Sequence, residues 1–235
     1  MSALPVNLDT IHPSLWRASE LGHSTGHTLE TGYPALSAEL PGGGWPLGVL
    51  IDLLVQQPGV GEIRLLRPAL GATGMQAIAL LQPPHLPNAP AFAYLGIPLD
   101  KLLLLRAERS ADALWSAEQI LRAGSCGALV LWQKHIRAES LRRLHLAAQC
   151  SETLFLLVRP LAAAQDSSPA PLRLALRPAG DGIAVDIVKR RGPAREQPLS
   201  VLLQPTPILF SRHARVSRRP LTPLATRSAP AAVGA

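Results

Sequence analysis

Apolar runs of strand length alternate with amphipathic segments of helix length through most of this chain. The apolar runs predict buried strands at residues 49–55, 76–81, 101–105, 128–132 and 153–158. The amphipathic segments predict helices at residues 61–70, 90–95, 111–122 and 140–150. Continuous apolar strands separated by helices indicate an α/β protein with a mainly parallel β-sheet that is flanked by helices on both faces.

The pattern changes near both ends of the chain. Residues 1–29 hold one helix-like piece, residues 14–21, and are interpreted as an N-terminal arm. Three shorter apolar pieces, residues 172–176, 183–188 and 200–203, predict a closing antiparallel set at the sheet edge. We therefore predict an arm (1–29), one core domain (30–204) and a tail (205–235).

The tail concentrates the positive charge of the protein. The formal charge of the 235 residues is +7, and five arginines but no acidic residue follow Gln204. Removing these five charges from +7 leaves +2 for everything before the tail. Its Pro, Arg, Ser and Ala content predicts disorder, and its candidate contacts with DNA or a protein partner are Phe210, Arg212, Arg215, Arg218 and Arg219.

Composition limits the classes of protein that fit the rest of the chain. The hydrophobic content of 47% is ordinary for a globular domain, and no stretch approaches the roughly 18 apolar residues of a membrane span. Cys126 and Cys150 lie far apart with no His or Cys at metal-ligand spacing, so no metal site is predicted. We expect a cytoplasmic protein with no membrane association.

A series of motifs before the first long strand resembles the opening of the RecA recombinase core. The chain has a Thr-Gly-x-x-x-Leu segment at 31–36, a Pro-Gly-Gly-Gly-x-Pro-x-Gly turn at 41–48, and then the apolar strand. The resemblance implies a RecA-like P-loop NTPase core. In that family the next element is the phosphate-binding loop G-x-x-x-x-G-K-[ST], where the Lys neutralises phosphate and the Ser or Thr holds Mg²⁺.

The corresponding loop of this chain lacks the residues that phosphate binding requires. In register with the motif, Gln56 replaces the first Gly, Glu62 replaces the Lys and Ile63 replaces the Mg²⁺ ligand, while Gly59 and Gly61 remain glycine. A carboxylate at the lysine position repels phosphate, and an isoleucine cannot bind a metal ion. Because phosphoryl transfer depends on such electrostatic positioning, we expect a degenerate nucleotide site, no cofactor and no catalysis.

Two further positions support the same interpretation. The strand 128–131 should lead to the acidic residue of the Walker B site, but Trp132 stands there. Where a catalytic carboxylate is expected after the strand 76–81, the chain has Pro83 and Pro84. Trp132 and Trp115 are both predicted to pack in the core.

The amino-acid sequence from about Leu15 to Leu203 resembles the ImuA family of translesion-synthesis accessory proteins. The matching segments are, in order, residues 15–17, 41–46, 61–66, 83–87, 110–119, 141–144 and 188–192. The resemblance implies a non-catalytic protein of the SOS response to DNA damage. It implies an ImuB-type polymerase homologue and the RecA recombinase as partners, and indirectly an error-prone C-family DNA polymerase. DNA contact through the basic tail is a further hypothesis.

Alternatives remain at this stage. The basic run Lys189, Arg190 and Arg191 is either a solvated strand end or a residual contact surface. The loop 56–61 is either a degenerate nucleotide site or an ordinary strand-to-helix turn. As a whole protein, the chain could instead be a cell-division inhibitor of the SulA type, which also resembles a shortened RecA core, or an atypical RecA-fold ATPase.

Overall fold

The computed structural model describes residues 27–203, except Met75, Ala194 and Glu196. Its strands, in chain order, are β1 (Thr28–Glu30), β2 (Gly44–Pro46), β3 (Leu50–Val55), β4 (Ala77–Leu81), β5 (Leu102–Leu105), β6 (Cys126–Trp132), β7 (Leu154–Pro160), β8 (Leu172–Ala179), β9 (Gly182–Lys189) and β10 (Leu199–Leu202). The α-helices are α1 (Pro34–Ser37), α2 (Glu62–Ala72), α3 (Ala89–Tyr94), α4 (Ser110–Ala123) and α5 (Ala138–Ala148).

Eight of these strands form one sheet in the order β10-β9-β8-β3-β7-β6-β4-β5. The six strands from β8 to β5 run parallel, while β9 and β10 are antiparallel to their neighbours. The mixed α/β fold with a mainly parallel, helix-flanked sheet is therefore confirmed. The five predicted strands of the parallel sheet and the four predicted helices are also confirmed, as β3 to β7 and α2 to α5. Their ends differ from the predicted ends by at most two residues.

The sheet separates two apolar layers because successive strand residues point to opposite faces. On one face, the alternate residues Ile51, Leu53 and Val55 of β3 share a buried cluster with leucines of α1 and α2 and with Phe92 of α3. On the other face, Phe155 and Leu157 of β7 lie in the cluster that contains the buried side of α4 and α5. None of the helices among the described residues is long and apolar enough to cross a membrane.

The short elements near the start of the domain are not predicted by the sequence pattern. β1 and β2 form a separate two-stranded antiparallel sheet, and three-residue strands are too short to show alternation. Gly44 allows this pairing, since a Cβ atom there would lie 2.3 Å from the carbonyl oxygen of Leu29. The predicted helix at residues 14–21 lies outside the described residues.

One predicted core residue is on the surface. Trp115 is 61% exposed on α4, so its assignment to the core is wrong, whereas Trp132 is buried as predicted. The buried side of α4 is made by Ala113, Ala117 and Leu121, which recur at helical spacing. Trp115 lies about 160° around the helix from Ala117 at 100° per residue, and so faces away from the sheet.

A buried cluster of charges joins the three strands at the centre of the sheet. Asp52 of β3 accepts hydrogen bonds from Arg159 of β7 at 2.8 and 3.2 Å and from Arg173 of β8 at 3.1 Å. Arg173 also donates to the carbonyl groups of Ala163 and Asp166, in the segment after β7. The three side chains are at most 7% exposed, so each guanidinium depends on these acceptors.

We expect the substitution Asp52→Asn to cost about 3–5 kcal/mol of the free energy of unfolding, because it removes the carboxylate that two buried guanidinium groups share. Arg159 then keeps only the carboxylate of Asp166 at 3.4 Å. Urea denaturation of the two proteins measures the difference. Asp181→Asn is the matched control, since Asp181 is exposed and should tolerate the same chemical change. A loss at position 52 no larger than that of the control would contradict this role for the cluster.

Candidate functional site

The loop that the sequence pattern aligned with a phosphate-binding loop lies at the carboxyl end of the central strand β3. It runs from Gln56 to Gly61 and leads directly into α2, which begins at Glu62. Gly59 and Gly61 have φ angles of 84° and 126°, a region that side chains with a Cβ rarely adopt. A strand, a glycine-containing loop and a helix N-terminus are therefore present where the sequence placed them, at the ligand-binding edge of an open α/β sheet.

The side chain of Glu62 is hydrogen-bonded to the backbone of this loop. Its carboxylate oxygens accept hydrogen bonds from the N–H of Gly59 at 2.9 Å and from the N–H of Gly61 at 3.2 Å, and the residue is 97% buried, with 3% exposure. A carboxylate is favourable here because the first turn of a helix presents free N–H groups and positive potential. The carboxylate of Glu62 thus already occupies two backbone donors of this loop.

The two other positions singled out in the sequence lie beside this loop. Ile63 packs against the main core cluster through an apolar side chain. Trp132 ends β6 and is 9% exposed, and its Nε1 donor has no hydrogen-bond partner among the described residues. Pro83 and Pro84 follow β4 and line the same surface as His85 and Trp132. No acidic side chain other than Glu62 comes from these positions.

A cavity of about 450 Å³ opens at the carboxyl ends of four neighbouring strands. Its lining contains polar, basic and apolar side chains but no carboxylate: Val55, Gln56, Gln57, Pro58, Gln82, Pro84, Ser110, Trp132, Gln133, Lys134, His135, Val158, Arg159 and Pro160. Three strands, β3, β4 and β6, are each followed directly by a glutamine that lines this cavity: Gln56, Gln82 and Gln133. Among the described residues, no group of three or more His, Cys, Asp or Glu side chains could hold a metal ion.

Gln82 is the functional candidate that sequence reasoning missed. It is the one non-glycine residue in the described part of the chain with a positive φ angle, 57°, at the end of β4. Its backbone N–H donates to Leu105 at 3.0 Å and its side-chain amide donates to the carbonyl of Ala107 at 2.6 Å. Such a conformation is kept only where the surroundings enforce it, and no sequence pattern signals it.

Two residues of the basic run at the end of β9, Lys189 and Arg190, make contacts within the domain. Arg190 binds the Glu39 carboxylate at 2.7 Å, and this hydrogen bond, with the charge of Arg195, lowers the pKa of Glu39. The ammonium group of Lys189 donates to the carbonyl of Ser168. Arg191 is exposed. The tail candidates, Phe210, Arg212, Arg215, Arg218 and Arg219, lie outside the described residues.

Two other titratable groups, Glu118 and His145, lie on α4 and α5, the helices that cover the second face of the sheet. Arg143 of α5 and Arg122 of α4 both bind Glu118, and the hydrogen bond from Arg143 is the main reason why the pKa of this carboxyl group is lowered. The pKa of His145 is lowered chiefly by burial, and its Nδ1 accepts from the backbone N–H of Leu50 at 3.4 Å. The Glu118 contacts thus join α4 to α5, and the His145 contact fastens α5 to β3.

Comparison with known proteins relates the chain to SulA over part of its length. No protein-family model matches it. Over 76 residues it is 32% identical to the cell division inhibitor SulA of Edwardsiella piscicida, a stretch that covers 32% of this chain and 45% of that protein. The chain thus spans less than half the length of this curated relative. A crystal structure of SulA from Pseudomonas aeruginosa aligns with a TM-score of 0.40 at 24% identity, over 47% of this chain and 97% of that one.

The contacts of Glu62 predict a graded response to substitution. Glu62→Ala should cost about 1–3 kcal/mol of the free energy of unfolding, because two backbone donors at the start of α2 lose their acceptor. Glu62→Gln keeps one amide oxygen and should cost less. Urea denaturation measures both, and Glu139→Ala on the exposed first turn of α5 is the matched control. Equal stability of the Ala and Gln variants would contradict the proposed bonding.

Proposed function

We propose that this chain is a non-catalytic protein built on a RecA-like core, which acts by binding other macromolecules. The observation that carries the proposal is the position of Glu62, whose carboxylate is bound to the loop N–H groups at the end of β3. A P-loop enzyme needs those donors for phosphate, a Lys for charge and a hydroxyl for Mg²⁺. The succession of β3, glycine-containing loop and α2 supports the RecA-like assignment.

Within this class, we propose a role in the SOS response, as an accessory protein of translesion DNA synthesis. The partial match to SulA supports a relation to that group of proteins. The ordered motifs that resemble the ImuA family extend over most of the chain, whereas the match to SulA covers 32% of it. The partners would then be an ImuB-type polymerase homologue and the RecA recombinase, with a C-family polymerase reached indirectly.

Inhibition of cell division is the second candidate function. It is favoured by the sequence match to the protein of Edwardsiella piscicida, which is a cell division inhibitor. The two candidates share a non-catalytic core and differ in the partner, so the cavity and the loop cannot separate them. The tail arginines and the exposed Arg191 fit either a protein partner or DNA.

We expect no binding of Mg²⁺-ATP in the micromolar range and no ATP hydrolysis by the purified chain. Isothermal titration calorimetry and a phosphate-release assay measure the two properties. The double variant Glu62→Lys with Ile63→Thr should also fail to hydrolyse ATP, because Trp132 still stands where the Walker B acid is required. Tight Mg²⁺-dependent binding by the unmodified chain would favour the atypical ATPase instead.

The biological role is tested by deleting the gene in the source organism and measuring mutation frequency after DNA damage. We expect damage-induced mutagenesis to fall, and the tagged chain to co-purify with an ImuB-type protein from damaged cells. The control is overproduction without damage, which should leave cell length unchanged. Filamentous cells on overproduction, together with normal mutagenesis in the deletion strain, would assign the chain to division inhibition.

A further inference from the structure

A pocket of about 230 Å³ lies where α2 meets the segment before α1 and the end of β10. Its polar side chains are those of Tyr33, Arg64 and Arg67, and we refer to it as the arginine pocket. Among the described residues, its lining contains no carboxylate, so its positive charge is not balanced within the pocket. It shares no residue with the cavity at the carboxyl ends of the strands, and the proposed loop chemistry does not involve it.

The turn of α2 that lines this pocket is built around a proline. Pro68 lies inside the helix and has no N–H, so the carbonyl of Arg64, four residues earlier, has no helical donor. The hydroxyl of Tyr33 donates to that carbonyl at 3.1 Å. Gly32 permits this close approach, since a Cβ atom there would lie 2.4 Å from side-chain carbons of Pro68. Tyr33 is therefore fixed beside α2, in the wall of the pocket.

Each guanidinium group of the arginine pocket is held in place by one backbone carbonyl. Arg64 donates from Nη2 to the carbonyl of Leu203 at 3.1 Å, and Arg67 donates from Nε to the carbonyl of Leu95 at 2.8 Å. Neither arginine forms a salt bridge among the described residues. The Nε of Arg64 is buried and has no hydrogen-bond partner in this part of the chain. A buried donor of this kind is unfavourable until it gains an acceptor.

Both positive charges also act on the hydroxyl group of Tyr33. Burial raises the pKa of Tyr33, and the charges of Arg67 and Arg64 lower it in part. Since the two guanidinium groups line one pocket of about 230 Å³, they can both act on a single bound anion.

The surroundings of the pocket favour a carboxylate on an apolar segment over a nucleic-acid phosphate. Leu202 is 67% exposed beside the two arginines, and Leu95 and Pro68 supply further apolar lining. A DNA backbone is bound by several cations along its path and gains nothing from such side chains. Protein interfaces, in contrast, combine arginine with apolar surface in pockets that exclude water. Residues 204–235 hold five arginines and no acidic residue, so none of their side chains supplies the anion.

We propose that the arginine pocket binds the carboxylate of an aspartate or glutamate of a protein partner, with a neighbouring apolar residue of that partner packed against Leu202. The planar guanidinium groups of Arg64 and Arg67 match a carboxylate through paired, charge-assisted hydrogen bonds. This site rests on the proposed function, that the chain acts by binding macromolecules, and adds the chemistry of the segment that is bound.

Nuclear magnetic resonance titration of the isotope-labelled full chain with two dipeptides tests the site. N-acetyl-glutamyl-leucinamide carries the carboxylate, and the neutral N-acetyl-glutaminyl-leucinamide is its matched control. The glutamyl dipeptide should cause saturable shifts of the backbone N–H signals of Gly32, Tyr33 and Arg64. The glutaminyl dipeptide should bind about tenfold more weakly or worse, because its hydrogen bonds lack the charge. Equal binding of the two, shifts confined to other residues, or no saturable shift at all overturns the proposal.

A substitution in the pocket tests the role of the arginines. Arg67→Gln removes one positive charge from an exposed side chain and should weaken binding of the glutamyl dipeptide about tenfold. Arg142→Gln on α5 is the matched control, since Arg142 is exposed and lies outside the pocket, and it should bind like the unmodified chain. Circular dichroism verifies that both variants are folded. Unchanged binding by the Arg67→Gln variant overturns the proposal.

A short DNA duplex tests the alternative source of the anion. Added to the complex with the glutamyl dipeptide, the duplex should leave the signals of Gly32, Tyr33 and Arg64 at their dipeptide-bound positions. A duplex that displaces the dipeptide assigns the pocket to nucleic-acid phosphate and overturns a protein partner. Failure of the dipeptide titration would leave the proposed function standing, because mutation frequency and co-purification measure that function separately.

Discussion

The buried contact between Asp52, Arg159 and Arg173 is the constraint on which the centre of this structure depends. It joins β7, β3 and β8, three adjacent parallel strands, from inside the layer that would otherwise be apolar. Strong electrostatic attraction is available there because the side chains are shielded from water. Since a buried charge without its partner is very unfavourable, the three strands can hold these positions only in the observed register.

This cluster lies directly below the loop and the cavity at the carboxyl edge of the sheet. Arg159, which binds Asp52, also lines the cavity, and the last residues of β3 and β7 form part of its wall. At this edge glutamines and apolar side chains lie beside the basic residues Lys134 and Arg159, and the loop N–H groups bind the carboxylate of Glu62.

The two edges of the sheet differ in how their polar groups are used. At one edge, β9 and β10 return antiparallel, and the arginines beside them bind Glu39 from the beginning of the domain. At the other edge, β5 has a strand neighbour on one side among the described residues, and Leu103 and Leu104 are exposed. The charged side chains at the first edge are therefore used within the domain, whereas the second edge is apolar.

The sequence by itself determined the alternating strands and helices, the mainly parallel sheet and the glycine-containing loop between β3 and α2. These follow from local periodicity and from residue identity, which need no tertiary information. The isolated Asp52, Arg159 and Arg173 in apolar strands were a visible signal that they would be paired, but not with which partner. Only the tertiary structure decided that Glu62 binds its own loop, that Gln82 adopts a left-handed conformation, that Trp115 faces solvent and that β5 is an edge. Each of these depends on contacts between residues far apart in the chain or on the direction of a side chain, which periodicity does not encode.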